Sequence, residues 1–104
     1  MYARTVFLRL RPDAGPRFAQ VIDDEIVPLL RTQNGFEHEI TLVTPEGNDA
    51  VAISLWDHKE SAELYDGNTY PEVVKHLNKL IDGTPDVRGY KVAHATFQKV
   101  PAVG

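Results

Sequence analysis

The sequence predicts an α+β fold of the ferredoxin-like type, with element order β-α-β-β-α-β, giving a four-stranded antiparallel sheet with two helices on one face. Three observations predict it. Apolar residues alternate with a period of two in several segments, and they recur at helical spacing in others. Clusters of Pro, Gly, Asn and Asp separate these segments in the order strand, helix, strand, strand, helix, strand. A length of 104 residues fits one domain, 1–104, with one sheet and two helices around a single core.

In Tyr2–Arg11, Val6, Leu8 and Leu10 alternate against Thr5, Phe7 and Arg9, which is strand periodicity. Pro12 to Pro16 breaks the strand and offers Asp13 as a helix cap. Phe18, Val21, Ile22, Glu25, Ile26, Leu29 and Leu30 then follow helical spacing. Pro28 falls inside this pattern, so the helix should kink or restart there. Asn34-Gly35 stops it.

Phe36–Thr44 reads as the second strand, with Phe36, His38, Ile40 and Leu42 sharing a face. The turn Pro45–Asp49 joins it to a third strand, Ala50–Trp56. Asp57 and Glu60 have capping-box spacing ahead of a short helix through Tyr65. Gly67-Asn68 should interrupt that helix, and Thr69 can cap a further one carrying Val73, Val74, Leu77, Leu80 and Ile81 as far as Asp82-Gly83. Val87–Lys99 reads as the last strand.

Two helices cover only one face of such a sheet. Alternation nevertheless gives one oily face (Val6, Leu8, Leu10, Ile40, Leu42, Val51, Ile53, Leu55) and a second that is far from polar (Phe7, Val43, Ala52, Trp56, Ala93, Ala95, Phe97). A sheet apolar on both sides needs two covers, and a second copy of the chain supplies one, so a homodimer is expected. The segment Lys99–Gly104 could reach across to that partner.

Composition closes off several function classes. A net charge of −4 without a basic cluster argues against nucleic acid as a partner. The absence of cysteine removes disulfides, iron–sulfur ligation and thiol catalysis. No run approaches the ~20 apolar residues of a membrane span, and Met1–Thr5 does not open a signal peptide, so no membrane and a cytoplasmic location are expected. The four histidines lack the spacing of a helical metal-ligand pair, so no metal is expected. Neither a serine elbow nor a phosphate-cradling glycine loop is present.

The run Leu29-Leu30-Arg31-Thr32-Gln33-Asn34-Gly35-Phe36, followed by Val51-Ala52-Ile53-Ser54-Leu55-Trp56 and a charged capping stretch, resembles the antibiotic-biosynthesis-monooxygenase-like family over roughly residues 2–98. The resemblance implies a dimeric α+β barrel. In the cofactor-free, quinone-forming oxygenases of this kind, a tryptophan closes the third strand, with an asparagine four residues before it and a tyrosine six after. An arginine lies on the second helix. The corresponding positions here are Trp56, Ala52, Ala62 and, at about the arginine position, His76. The haem-degrading branch implies an asparagine on the first strand, an aromatic in the second helical region and a haem-ligating histidine; Phe7, Tyr65 and His76 stand at or near these places.

The expected site is therefore a cleft between sheet and helices. Its catalytic candidates are His76, Trp56 and Tyr65, and its substrate-binding candidates are His38, His94 and Tyr70. Trp56 and Tyr65 would give flat contact to a small aromatic or polyketide-like molecule. His76 would hydrogen-bond it or take a proton from an acidic phenol. No cofactor is expected, since an electron-rich phenolate can pass an electron to oxygen in the chemistry that the resemblance implies. Two other readings stay open: a non-catalytic dimer whose side chains fill the cleft, and a haem-handling protein.

Overall fold

The first strand, β1 (Tyr2–Leu10), forms where the alternation predicts it and takes an inner place in the sheet. The structure is a computed structural model that describes residues 1–97, so the expected reach of Lys99–Gly104 lies outside the described residues. β2 (Phe36–Val43) and β3 (Asp49–Trp56) make the expected hairpin. β4 (Ile81–Lys91) pairs with β1, and the strand order is β2-β3-β1-β4, antiparallel throughout. One helical region runs through α1 (Gly15–Val21), a π-helical turn (Ile22–Ile26) and α2 (Val27–Arg31); the other is α3 (Lys59–Asn68) followed by α4 (Tyr70–Leu77).

The restart expected at Pro28 is there, and the π turn shows how it is made. A proline within a uniform α-helix lacks an N–H and crowds the carbonyl four residues back. The π turn widens the helix just before it, leaving Pro28 in the first turn of α2. The widening also serves packing. Ile22, Ile26 and Leu30 are four apart and all buried, whereas an ideal α-helix rotates every fourth residue by about 40° away from its start. The π turn removes that drift and keeps all three on the sheet.

The largest correction concerns the faces. Register pairs Val6 with Ala52, Leu8 with Ala50 and Tyr2 with Trp56, so Val6, Leu8, Leu10, Ala50, Ala52 and Trp56 face the helices together. Val51, Ile53 and Leu55 point the other way, with Phe7, Ile40 and Leu42. The sequence reading sorted β1 and β3 correctly but matched the strands by side-chain size, and it put Phe36 on the face of His38, Ile40 and Leu42, whereas Phe36 lies opposite Trp56 and faces the helices. A bulge between Phe36 and His38 adds to this, because it changes the parity of β2 so that Glu39 and Thr41, opposite Ser54 and Ala52, turn toward the helices. The outer face remains apolar and open: Phe7 is 39% exposed, Ile40 54%, Leu42 48% and Tyr90 47%.

Local corrections follow from chain geometry. Asp13 sits at φ 63° and Ala14 precedes α1, with no side-chain cap. His58, not Asp57, takes the N-cap place of α3, and Glu60 makes no reciprocal bond; Asp57 Oδ1 instead accepts from the His58 N–H and the Ser61 hydroxyl, both at 2.6 Å. Ser61's hydroxyl holds the Asp57 carboxyl below its ordinary range. Helix α3 runs through Gly67-Asn68, and the break falls at Thr69. The second helix stops at Leu77 because the next segment is pulled into the sheet: Leu10 pairs with Ile81, and the Arg11 N–H donates to Leu80 O at 2.9 Å. The last strand therefore begins at Ile81 and ends at Lys91, leaving Ala93, His94, Ala95 and Phe97 outside it.

Candidate functional site

Between the sheet and the helices lies a cavity of about 30 Å3, partly open to solvent. That volume suits one or two waters. Its apolar walls come from the π turn and α4, and its polar groups are Arg4, Glu39, Ser54, Tyr65 and Tyr70. Arg4, Ser54 and Tyr65 are buried, while Glu39, Ala52 and Tyr70 are half-buried and mark the mouth.

Arg4 is the least expected of these. Alternation on β1 puts it in line with Val6 and Leu8, pointing into the core, and its side chain is only 4% exposed. Its guanidinium lies 4.1 Å from the centre of the Tyr70 ring and 5.0 Å from that of Tyr65, within cation–π range. Nε donates to Asp66 Oδ1 at 2.7 Å at the end of α3. Nη2 lies 2.6 Å from the same oxygen but angled off it, and among the described residues it finds no acceptor for its own hydrogens. A buried donor without an acceptor is costly and uncommon.

Burial acts on the neighbouring groups. Desolvation pushes the Tyr65 hydroxyl up to about 12, with the Arg4 charge opposing, and raises that of Tyr70 in the same way. Desolvation also raises the Glu39 carboxyl above its ordinary 4.5, partly offset by the Thr41 hydroxyl, which donates to Glu39 Oε2 at 2.6 Å. A raised carboxyl binds a proton that the unfolded chain has already released. Glu39 therefore costs stability progressively as pH rises from 4.5 through its folded value, and the cost is complete above that. Glu39→Gln should accordingly raise Tm by a few degrees at pH 7, and the gain should vanish below pH 4.5. Thermal unfolding at the two pH values checks this; an equal gain at both would place the cause in packing.

The candidates read from the sequence divide. Tyr65 and Tyr70 line the cavity, 6.1 Å apart between ring centres. Trp56 is fully buried behind Tyr65 at 5.2 Å, edge-on to Phe36 at 5.6 Å, and its Nε1 donates to Ser54 Oγ at 2.8 Å. It supports the wall without lining it. His76, on α4, sits outside the cavity lining with Nδ1 2.9 Å from Glu25 Oε1, so it ties α4 to the π turn. His38 and His94 are not in the cleft. The β2 bulge turns His38 to the outer face, edge-on to Phe97 at 5.6 Å, and His94 is exposed beyond β4. Phe7 also points to the outer face, so the three haem-branch positions lie on two sides of the sheet. Among the described residues, no three His, Cys, Asp or Glu side chains gather as a metal site would need. Sequence reasoning missed Arg4 and Glu39. The signal for Arg4 was available, as a charge in register with Val6, Leu8 and Leu10; Glu39 was hidden by the bulge.

No family model matches the chain, and no curated protein matches it in sequence. Solved structures do match. The monooxygenase ActVA-Orf6 of Streptomyces coelicolor, in complex with nanaomycin D, superposes with a TM-score of 0.78 at 14% identity, over 94% of this chain and 92% of that one. SnoaB, a cofactor-independent oxygenase from Streptomyces nogalater, gives 0.73 at 12% identity, over 93% and 97%. Rv0793 from Mycobacterium tuberculosis gives 0.71 at 17% identity, over 91% and 97%. At these identities the likeness establishes the fold, the α+β sheet-and-helix plan of the antibiotic biosynthesis monooxygenases. Among the described residues, no helix is long and apolar enough to cross a membrane.

Proposed function

We propose, starting from this shared fold, that the chain is a cofactor-independent monooxygenase-like protein that takes a small aromatic or polyketide-like molecule into the cleft and works as a homodimer. The observation that carries the reading is the Arg4–Tyr65–Tyr70 cluster, in which Arg4 and Tyr65 are buried and Tyr70 is half-buried. A cation and a phenol held away from water are expensive, and such cost is characteristic of functional sites. ActVA-Orf6 holds nanaomycin D and SnoaB is described as cofactor-independent, which supports the substrate class and the lack of a cofactor.

In this reading Tyr70 and Tyr65 meet the flat face of the ligand and Trp56 fixes Tyr65 from behind. His76 sets the spacing of the cavity walls through Glu25. The implied reaction converts a ring CH2 to C=O: two C–H bonds break, one atom of O2 enters the product, and the other leaves as water with both hydrogens. The outer face, with Phe7, Ile40 and Leu42 in the open, supports the dimer. Nothing in the composition suits nucleic acid or a membrane, in keeping with a cytoplasmic protein.

A panel of hydroxylated polycyclic aromatics, incubated with the protein in air, should show oxygen uptake and quinone absorbance with at least one member. His76→Ala should slow that turnover, and sedimentation at micromolar concentration should give a mass near two chains. A protein inert across the panel would overturn the enzymatic reading, and a one-chain mass would overturn the dimer. A second reading, a non-catalytic ligand-binding dimer, draws on the cavity's size: about 30 Å3 inside, against the several hundred that a ligand pocket ordinarily offers.

A further inference from the structure

The structure assigns Arg4 as the anion-binding residue of the cleft: the site selects a planar ligand by an ionised oxygen, a phenolate or a carboxylate, placed in the cavity against Nη2. The inference relies on the proposed function only for the location of the site. Three features of the chain carry it.

The first is the orphaned donor. Arg4 is 4% exposed and lines the cavity, and its Nη2 hydrogens have no acceptor among the described residues. Guanidinium donors are fixed in a planar fork that fits planar oxyanions, so the unused edge has a defined complement. The second is size. The cavity, about 30 Å3, has room for one or two oxygen atoms and no ring, while the half-buried Tyr70, Ala52 and Glu39 on its lining offer flat contact at its solvent side. A ring lying against Tyr70 with its oxygen turned into the cavity uses both. The third is charge. Asp66, the counter-ion of Arg4, is 43% exposed and outside the cavity lining, so water shares its charge while the guanidinium keeps its own inside. Glu39, half-buried on the same lining, is an opposing charge that Arg4 must outweigh. The arginine expected from the second helix is replaced by His76, outside the cavity, and the cation arrives from β1 instead.

The test compares 4-nitrophenol, at a pH where it is ionised, with 4-nitrobenzoate and the neutral 4-nitroanisole, by calorimetric titration. The expected result is that at least one anion binds tenfold or more tighter than the ether, and whichever does so identifies the oxygen. Arg4→Met should abolish the preference. Should that variant unfold because Asp66 loses its partner, Asp66→Asn alone serves: it keeps Arg4, removes the competing carboxylate and should tighten anion binding severalfold. Equal binding of all three probes, a preference that survives Arg4→Met, or an anion affinity unmoved or weakened by Asp66→Asn would overturn the assignment. Anion selectivity without turnover of any polycyclic aromatic would leave Arg4 in place and remove the oxygenase reading. Turnover that Arg4→Met leaves unchanged would do the reverse.

Discussion

Trp56→Ala is expected to lose about 3–5 kcal/mol of stability, the range for truncating a fully buried large aromatic. The side chain has no exposed surface and contacts Phe36 and Tyr65 through ring pairs at 5.6 and 5.2 Å. Each such pair is worth about 0.5–1.5 kcal/mol beyond area burial. Its Nε1 also satisfies the buried Ser54 hydroxyl, which truncation leaves without that partner. Against a typical total of about 5–15 kcal/mol, this takes the domain close to its threshold. Because Trp56 is the sole tryptophan, urea unfolding must be followed by circular dichroism. Trp56→Phe keeps most ring contacts and should cost clearly less. A loss below about 1 kcal/mol for the alanine variant would mean the sheet end closes without the indole.

Gly35→Ala should cost about 1.5–4 kcal/mol, a large effect for one added methyl group. Gly35 ends the first helical region at φ 84°, where an L residue pays about 1–2 kcal/mol. The new Cβ would overlap Asp57 Oδ1 and the Ser61 side chain, the pair that anchors the start of α3. Displacing that anchor adds a loss of the order of a helix cap, about 0.5–2 kcal/mol. Gly47 is the control: its φ is 78°, but nothing among the described residues lies within 4 Å of a Cβ there, so Gly47→Ala should show the backbone part alone. Equal losses at the two positions would show that the Asp57–Ser61 contact contributes nothing.

The element order was legible because period-two and helical patterns each follow from one element's own geometry. Pro28 announced its own restart, while the π turn that accommodates it has no local signature; it appears only when Ile22, Ile26 and Leu30 must meet one sheet. The faces were not legible, since register between strands decides them, and here small Ala50 and Ala52 face inward while Ile53 and Leu55 face out. Of the site, Tyr65 and Tyr70 could be placed from their positions around the helix break. His38 and His94 were misplaced for different reasons, one by a bulge and one by a strand that ends at Lys91. Arg4 was readable and passed over, because a charge near a strand's start looks like solvent-facing punctuation until its parity is counted.

The bulge in β2 has an evolutionary consequence. Phe36 lies opposite Trp56 and His38 opposite Leu55, so Glu37 is a spare residue in the ladder. The hairpin turn sets everything downstream of it, Glu39 included, from the other end of the strand. Losing the Glu37 codon would leave a regular ladder, with Phe36 still on Trp56 and Glu39 still opposite Ser54. Gene length can thus drift by one codon here without disturbing the chemistry of the cleft, whereas the same deletion between His38 and Val43 would turn the remaining residues on its Phe36 side over, Glu39 among them wherever it lies on that side.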